Sequence, residues 1–211
     1  MGAGLTREMI LKQFCIGPGR NFTYIVARRE GGPAVVIDPS YGIDPVLKEI
    51  DDLGVKVEYI LNTHSHPDHY AGNADVRART GAKVGAYRTA PLEKDLDLSD
   101  GQVLTVDGIP IRVIHTPGHT PDSVLYLFEG HVATGDTLFV GECGRTDLPG
   151  GSASQLYDSL FGKVVHLDDG TVILPGHDYG PTPTSTLGYE KVHNYVLRPR
   201  TKEEFLRFME T

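Results

Sequence analysis

The stretch "NTHSHPDHYAG" (residues 62–72) places His64, His66, Asp68 and His69 within six consecutive positions. Imidazole and carboxylate are the side chains that first-row divalent metals accept. His64 and His66 are two apart, so in an extended segment they face the same way. Pro67 then turns the chain, and Asp68 and His69 can point to a neighbouring position. One cluster does not complete a site, so the rest of the chain must supply the remaining ligands.

They recur at strand ends. Short β-rich runs occupy 21–27, 34–38, 56–63, 82–87, 109–116, 123–130, 131–136 and 171–177. "YILNT" runs into His64, "IRVIHTPG" into His119, "HVATG" into Asp136 and "TVILPG" into His177, the last three directly after a glycine. Ligands at strand ends are expected to lie along one edge of a sheet, where a rigid scaffold aims them at a shared point. Seven candidates suit two metals. His64, His66 and His119 are assigned to the first and Asp68, His69 and His177 to the second, with Asp136 bridging. Two ions ~3.5–4 Å apart can clamp the atoms of a displacement. His115, His131, His166 and His193 read as ordinary surface or core histidines.

Helical patterns alternate with the strands. Ile43, Val46, Leu47, Ile50 and Leu53 recur at three- and four-residue spacing, with Asp44-Pro45 as expected N-cap and N1. Residues 70–80 read as one helix ended by Gly81, and 152–162 as another. Thr201 with Glu204 forms a capping-box pattern at the head of 201–210. "EGHV" (129–132) reads as a tight hairpin turn. Interleaved strands and helices predict an α/β layered domain. One domain is expected over 1–211, with 181–211 a helical tail packed on it.

Composition narrows the partners. Twenty Lys and Arg stand against 28 Asp and Glu, for a net charge of −8. Nucleic acid requires a basic footprint and is not expected. Two cysteines, Cys15 and Cys143, are too few for a secreted disulfide scaffold. With no signal-peptide pattern at the N-terminus and no apolar run near the ~20 residues of a membrane span, the expectation is a cytoplasmic protein without a membrane partner. A homodimer is the default oligomer.

"THSHPDH", "TPGHTPDSV", "ATGDTLF" and "LPGHDY" together resemble the metallo-β-lactamase superfamily over roughly residues 20–180. The resemblance implies an αββα sandwich, four layers with metals at one edge, and supports the ligand assignment. "GDTLFVGECGRTDLPGG" (135–151) and "GHDYGPTPTSTLGYEK" (176–191) resemble the glyoxalase II and persulfide dioxygenase group. In that group a basic residue at the position of Arg145 and a tyrosine at that of Tyr179 contact the glutathione part of the substrate. Long-type glyoxalase II carries a C-terminal helical extension that binds glutathione, and with about thirty residues after Tyr179 much of that surface is not expected here. The chain departs from the dioxygenases by "SHPDH", where they carry alanine for Pro67, and by "HTPDSV".

The expected activity is that of a metal-dependent hydrolase, cleaving a thioester with a metal-bound hydroxide as a hydroxyacylglutathione hydrolase does. Its cofactors would be two divalent ions, zinc or iron or manganese. Asp68 would also handle the proton, and Arg145 and Tyr179 would anchor a thiol-derived small molecule such as a glutathione conjugate. The alternative is a mononuclear iron persulfide dioxygenase acting on glutathione persulfide, with iron held by the residues at the His64, His119 and Asp136 positions. A metal-binding protein without catalysis is the third reading.

Overall fold

A computed structural model describes residues 9–210; the extreme ends of the expected 1–211 domain lie outside the described residues. Twelve strands form two six-stranded sheets. The first contains β1 (Ile10–Ile16), β2 (Asn21–Ala27), β3 (Pro33–Ile37), β4 (Lys56–Leu61), β5 (Lys83–Tyr87) and β6 (Leu96–Leu98), in that order across the sheet. The second contains β7 (Val103–Val106), β8 (Ile109–His115), β9 (Val124–Phe128), β10 (His131–Gly135), β11 (Val172–Pro175) and β12 (Ser185–Thr186), again in sequence order. β1 to β3 pair antiparallel and β3 to β6 parallel. In the second sheet only β10 and β11 are parallel.

The period of two along each strand sorts side chains between layers. On β2, Phe22, Tyr24 and Val26 enter the core between the sheets, where they join Ile111 and Val113 of β8 and Tyr126 and Phe128 of β9. Ile25 and Ala27 face the other way, into a second core with Val46 and Ile50 of α1 (Asp44–Leu53) and Val76 of α3 (Asn73–Thr80). A third core lies on the far side of the second sheet. There Leu125, Val132 and Ile173 meet Leu156 and Leu160 of α4 (Ala153–Gly162), Leu187 of α5 (Leu187–His193) and Phe205 of α6 (Lys202–Met209). The result is the four-layer αββα sandwich. A fully buried phenylalanine contributes about 1.5–3 kcal/mol, so Phe205 is a sufficient tether for α6. Thr201 and Glu204 close the expected capping box at its head.

Three local expectations shift. α1 begins one residue early: Ile43 is its N-cap, so Asp44 and Pro45 fall at N1 and N2. Proline is tolerated there because the first amides of a helix have no intrahelical partner. The expected helix over 70–80 divides into α2 (Pro67–Tyr70) and α3, separated at Gly72. Gly72 N donates to Pro39 O at 2.9 Å, and a Cβ on it would come within 2.9 Å of Ser40 O, so the chain breaks where it presses on the loop after β3. The ligand-bearing strands also do not share one sheet. β4 belongs to the first sheet and β8, β10 and β11 to the second, so the site sits where the ends of both sheets meet. "EGHV" does form the β9–β10 hairpin, with Glu129 and Gly130 both at positive φ.

Candidate metal centre

The loop after β4 carries His64 and His66, and α2 carries Asp68 and His69. Pro67 opens that helix, and the restriction it places on His66 keeps that residue extended, φ −70° and ψ 138°. His119 follows β8, Asp136 follows β10 directly, and His177 follows β11. Two glycines make the convergence possible. Gly135 has φ +48°, and a Cβ there would meet Thr63 Oγ1 at 2.4 Å; a Cβ on Gly176 would meet Asp136 Oδ1 at 2.3 Å.

All seven sequence-derived ligand candidates come together. Donor atoms of His64, His66 and His119 lie within 4.8 Å of one another, as do those of Asp68, His69 and His177, and those of His64, His69 and Asp136. Asp136 straddles the first two groups: Oδ1 is 3.4 Å from His69 Nε2, and Oδ2 is 3.4 Å from both His119 Nε2 and His177 Nε2.

Hydrogen bonds fix which nitrogen each ring presents. Thr63 Oγ1 gives its proton to Asp38 Oδ2 (2.6 Å), so toward His64 Nδ1 (3.1 Å) it can only accept. His69 Nδ1 donates to Asp38 Oδ2 at 3.0 Å, His119 Nδ1 to Arg145 O at 2.7 Å and His177 Nδ1 to Gly19 O at 2.8 Å. Four Nε2 atoms are thereby turned inward. Nε2 of His64 and of His119 approach His66 Nδ1 at 3.1 and 2.9 Å, and the Nε2 atoms of His69 and His177 are 3.2 Å apart. Lone pairs that converge so closely, beside a buried Asp136 Oδ1 with no hydrogen-bond partner, fit a cation: the donor set suits a divalent metal.

The electrostatics agree. Burial, then the neighbouring charge of His69, pushes His64 well below the usual histidine range, and burial with His119 lowers His66. Burial also opposes charge on His69, but Asp136, Asp38 and Asp68 together carry it up to about 9. Burial would raise Asp136, yet His69, His177 and His64 hold it far below the ordinary carboxylate range. The carboxylates that favour positive charge at His69 would equally favour a metal ion there.

Asp38 was missed as a site residue in the sequence. It is 2% exposed and left-handed at φ +48°, and its carboxylate also accepts from Thr63 N at 2.7 Å. Its signal was available: "AVVID" is another apolar strand ending in an acid. Asn21, whose Nδ2 donates to Asp68 Oδ2 at 2.8 Å, was also missed.

Above the histidines opens a cavity of about 1120 Å³. His119 and Asp136 lie at its floor, with Arg145, Tyr179, Tyr195 and Phe208 on its walls. Tyr179 is 56% exposed and stacks on His177, centroids 4.6 Å apart and planes 7° apart. The Arg145 guanidinium is held bidentately by Asp147, both contacts 2.6 Å. Cys143 borders the cavity but is buried in the third core, and burial, then Glu142, pushes its thiol up to about 12.

A four-layer sandwich with a histidine and aspartate cluster at one end of both sheets, under an open cavity, defines a metal-dependent enzyme. The family described as the Metallo-beta-lactamase superfamily matches residues 16–177, and the chain belongs to that superfamily. It is 33% identical over 213 residues to Persulfide dioxygenase ETHE1, mitochondrial, of Homo sapiens, covering 98% of this chain and 82% of that protein. It is 39% identical over 161 residues to the Hydroxyacylglutathione hydrolase of Anaeromyxobacter dehalogenans (strain 2CP-C), covering 75% of this chain and 62% of that one. Among solved structures, ETHE1 from Myxococcus xanthus superposes with a TM-score of 0.91 at 35% identity, covering 96% of this chain and 91% of the other. Relatives of both the hydrolase and the dioxygenase kind are therefore present. No helix among the described residues is long and apolar enough to cross a membrane.

Proposed function

We propose that the chain is a binuclear metallohydrolase that cleaves the thioester of a small thiol, as a hydroxyacylglutathione hydrolase does. The observation that carries the binuclear part of this reading is the second ligand group, Asp68, His69 and His177, gathered as closely as the first and facing the same Asp136; the thioester substrate rests on the likeness to hydroxyacylglutathione hydrolase. His64, His66 and His119 would hold one ion and the second group the other, with zinc, iron or manganese all compatible with the donors. Bound there, the ions supply Lewis acidity and lower the pKa of water toward ~7.

In the reaction a C–O bond forms from water to the acyl carbon, the C–S bond breaks, and the thiolate departs. Water must lose a proton, and Asp68, half-buried and with Oδ2 accepting from Asn21, would take it. Tyr179 offers a directed phenol at the cavity wall. Arg145 offers a fork suited to a carboxylate such as those of glutathione, and binding through it exchanges Asp147 for the substrate. The few cysteines fit a reducing compartment such as the cytoplasm.

The second reading, a mononuclear iron dioxygenase acting on glutathione persulfide, is favoured by one observation: the dioxygenase relative aligns over nearly the whole chain, tail included. Elemental analysis of protein purified without added metal, paired with oxygen uptake on glutathione persulfide, separates the two. Close to two metals per chain, no oxygen uptake and turnover of a glutathione thioester support the hydrolase. About one iron with oxygen consumption replaces it by the dioxygenase.

A further inference from the structure

Asn21 opens β2 with its side chain fully buried, and its Nδ2 donates to Asp68 Oδ2 at 2.8 Å. The carboxylate can only accept, so the amide nitrogen must be the atom facing it. The amide oxygen is buried without a partner. A buried amide that leaves its oxygen unpaired is a costly choice for a strand position, and among the described residues the one side-chain hydrogen bond it makes is to Asp68. The space for it is reserved: a Cβ on Gly19 would sit 2.8 Å from Asn21 Oδ1.

The same few residues also hold His177. Asn21 and His177 form an isolated antiparallel bridge, Phe22 N donates to Gly176 O at 2.8 Å, and Asp178 N donates to Arg20 O at 2.9 Å. His177 Nδ1 donates to Gly19 O. Segment 19–22 therefore touches two of the three members of the second ligand group. Among the described residues, no hydrogen bond joins it to His64, His66 or His119, which are held by Thr63, by each other and by Arg145 O.

We infer that Asn21 is a positioning residue for the second metal position: its amide holds the Asp68 carboxylate toward His69 and His177, and so governs whether the second ion binds. This rests on the binuclear reading. Asp68 is the most exposed of the second ligand group, its side chain 34% exposed against 0% for His69 and 5% for His177. Without the Asn21 amide it would rotate into solvent, while the first ligand group would be undisturbed.

The test is titration of metal-free protein with zinc against a competing chelator, resolving two equivalents. Asn21→Ala and Asn21→Leu, which empty and fill the same volume, should each weaken the second equivalent about 10–100-fold, the usual reach of a partner behind a metal ligand. The first equivalent should stay within about twofold, and it serves as the control for folding. A second equivalent of unchanged affinity in both variants overturns the inference and leaves the binuclear reading intact. Equal weakening of both equivalents also overturns it, since Asn21 would then be general support. If the unsubstituted chain takes only one equivalent, the binuclear reading falls first and the inference with it.

Discussion

His64, His69, His119 and His177 are buried, and each has its Nδ1 engaged by a hydroxyl, a carboxylate or a carbonyl. On the same cavity, Arg145 and Tyr179 are exposed, Arg145 is held by an acid two residues away, and Tyr179 is held by stacking on a ligand. The floor is fixed from behind by two sheets, whereas Arg145 and Tyr179 stand on loops beyond the strand ends. Geometry that must be accurate to a fraction of an ångström is built on the rigid part. Contacts that only need to admit and release a substrate are left on loops. Substitutions on the floor should therefore act on metal and on turnover together, and those on the wall should act on binding.

Asp136→Ala gives the sharpest break. Asp136 is the one carboxylate facing both ligand groups, so its loss should reduce activity to background and lower metal content in the purified protein. Full activity with unchanged metal would remove it from the centre. Asp38→Asn comes next. Its carboxylate accepts from Thr63 N, Thr63 Oγ1 and His69 Nδ1, and an amide must turn a donor toward one of them. Metal affinity should fall about 10–100-fold, measured by chelator competition. An unchanged affinity would mean that ring orientation is set by packing alone.

Legibility in the sequence follows a related division. The eight strands read from the sequence are the eight interior strands, and the four it lacks, β1, β6, β7 and β12, are the four sheet edges. Some interior strands are buried at every position, as in "NFTYIVA", and others, such as β4 and β8, alternate buried apolar with exposed residues at the period of a strand. Edge strands are short or half-exposed and carry residues such as Lys12 and Gln13 that dilute the signal. The ligands were legible because metal chemistry admits few residue types and the strand ends repeat the same punctuation. Asp38 carries only the weaker signal of an acid closing the apolar run "AVVID", and Asn21, which acts through another residue, carries no chemical signature of its own. Nor does a sequence state that β4 lies in a different sheet from β8, β10 and β11. That is a fact of long-range pairing.

On the wall, Arg145→Ala should raise KM for a glutathione thioester several-fold, with little change in kcat. Asp147→Ala sharpens the point. It frees the guanidinium that Asp147 now occupies bidentately, so KM should fall. Both are exposed, so stability should hardly change. A KM indifferent to both changes would show that the substrate carboxylate lies elsewhere.

The smallest effect is expected at Cys143, although it borders the cavity and invites reading as a nucleophile. A nucleophilic cysteine needs its thiolate, and proteins supply it with a nearby cation or a helix N-terminus. Here burial comes first and the Glu142 carboxylate second, and together they hold the thiol at about 12. Near neutral pH the side chain is then a thiol and not a thiolate. Cys143 shares its core with Leu138, Leu156 and Val196, the surroundings of a small apolar residue. Iodoacetamide on the folded protein should add one label by intact mass, at exposed Cys15, and two after denaturation. Cys143→Ala should keep kcat/KM within about twofold, with at most a modest loss of stability. Labelling of Cys143 in the folded state, with matching loss of turnover, would move it from the core to the reaction and require a covalent step that the histidine floor alone does not.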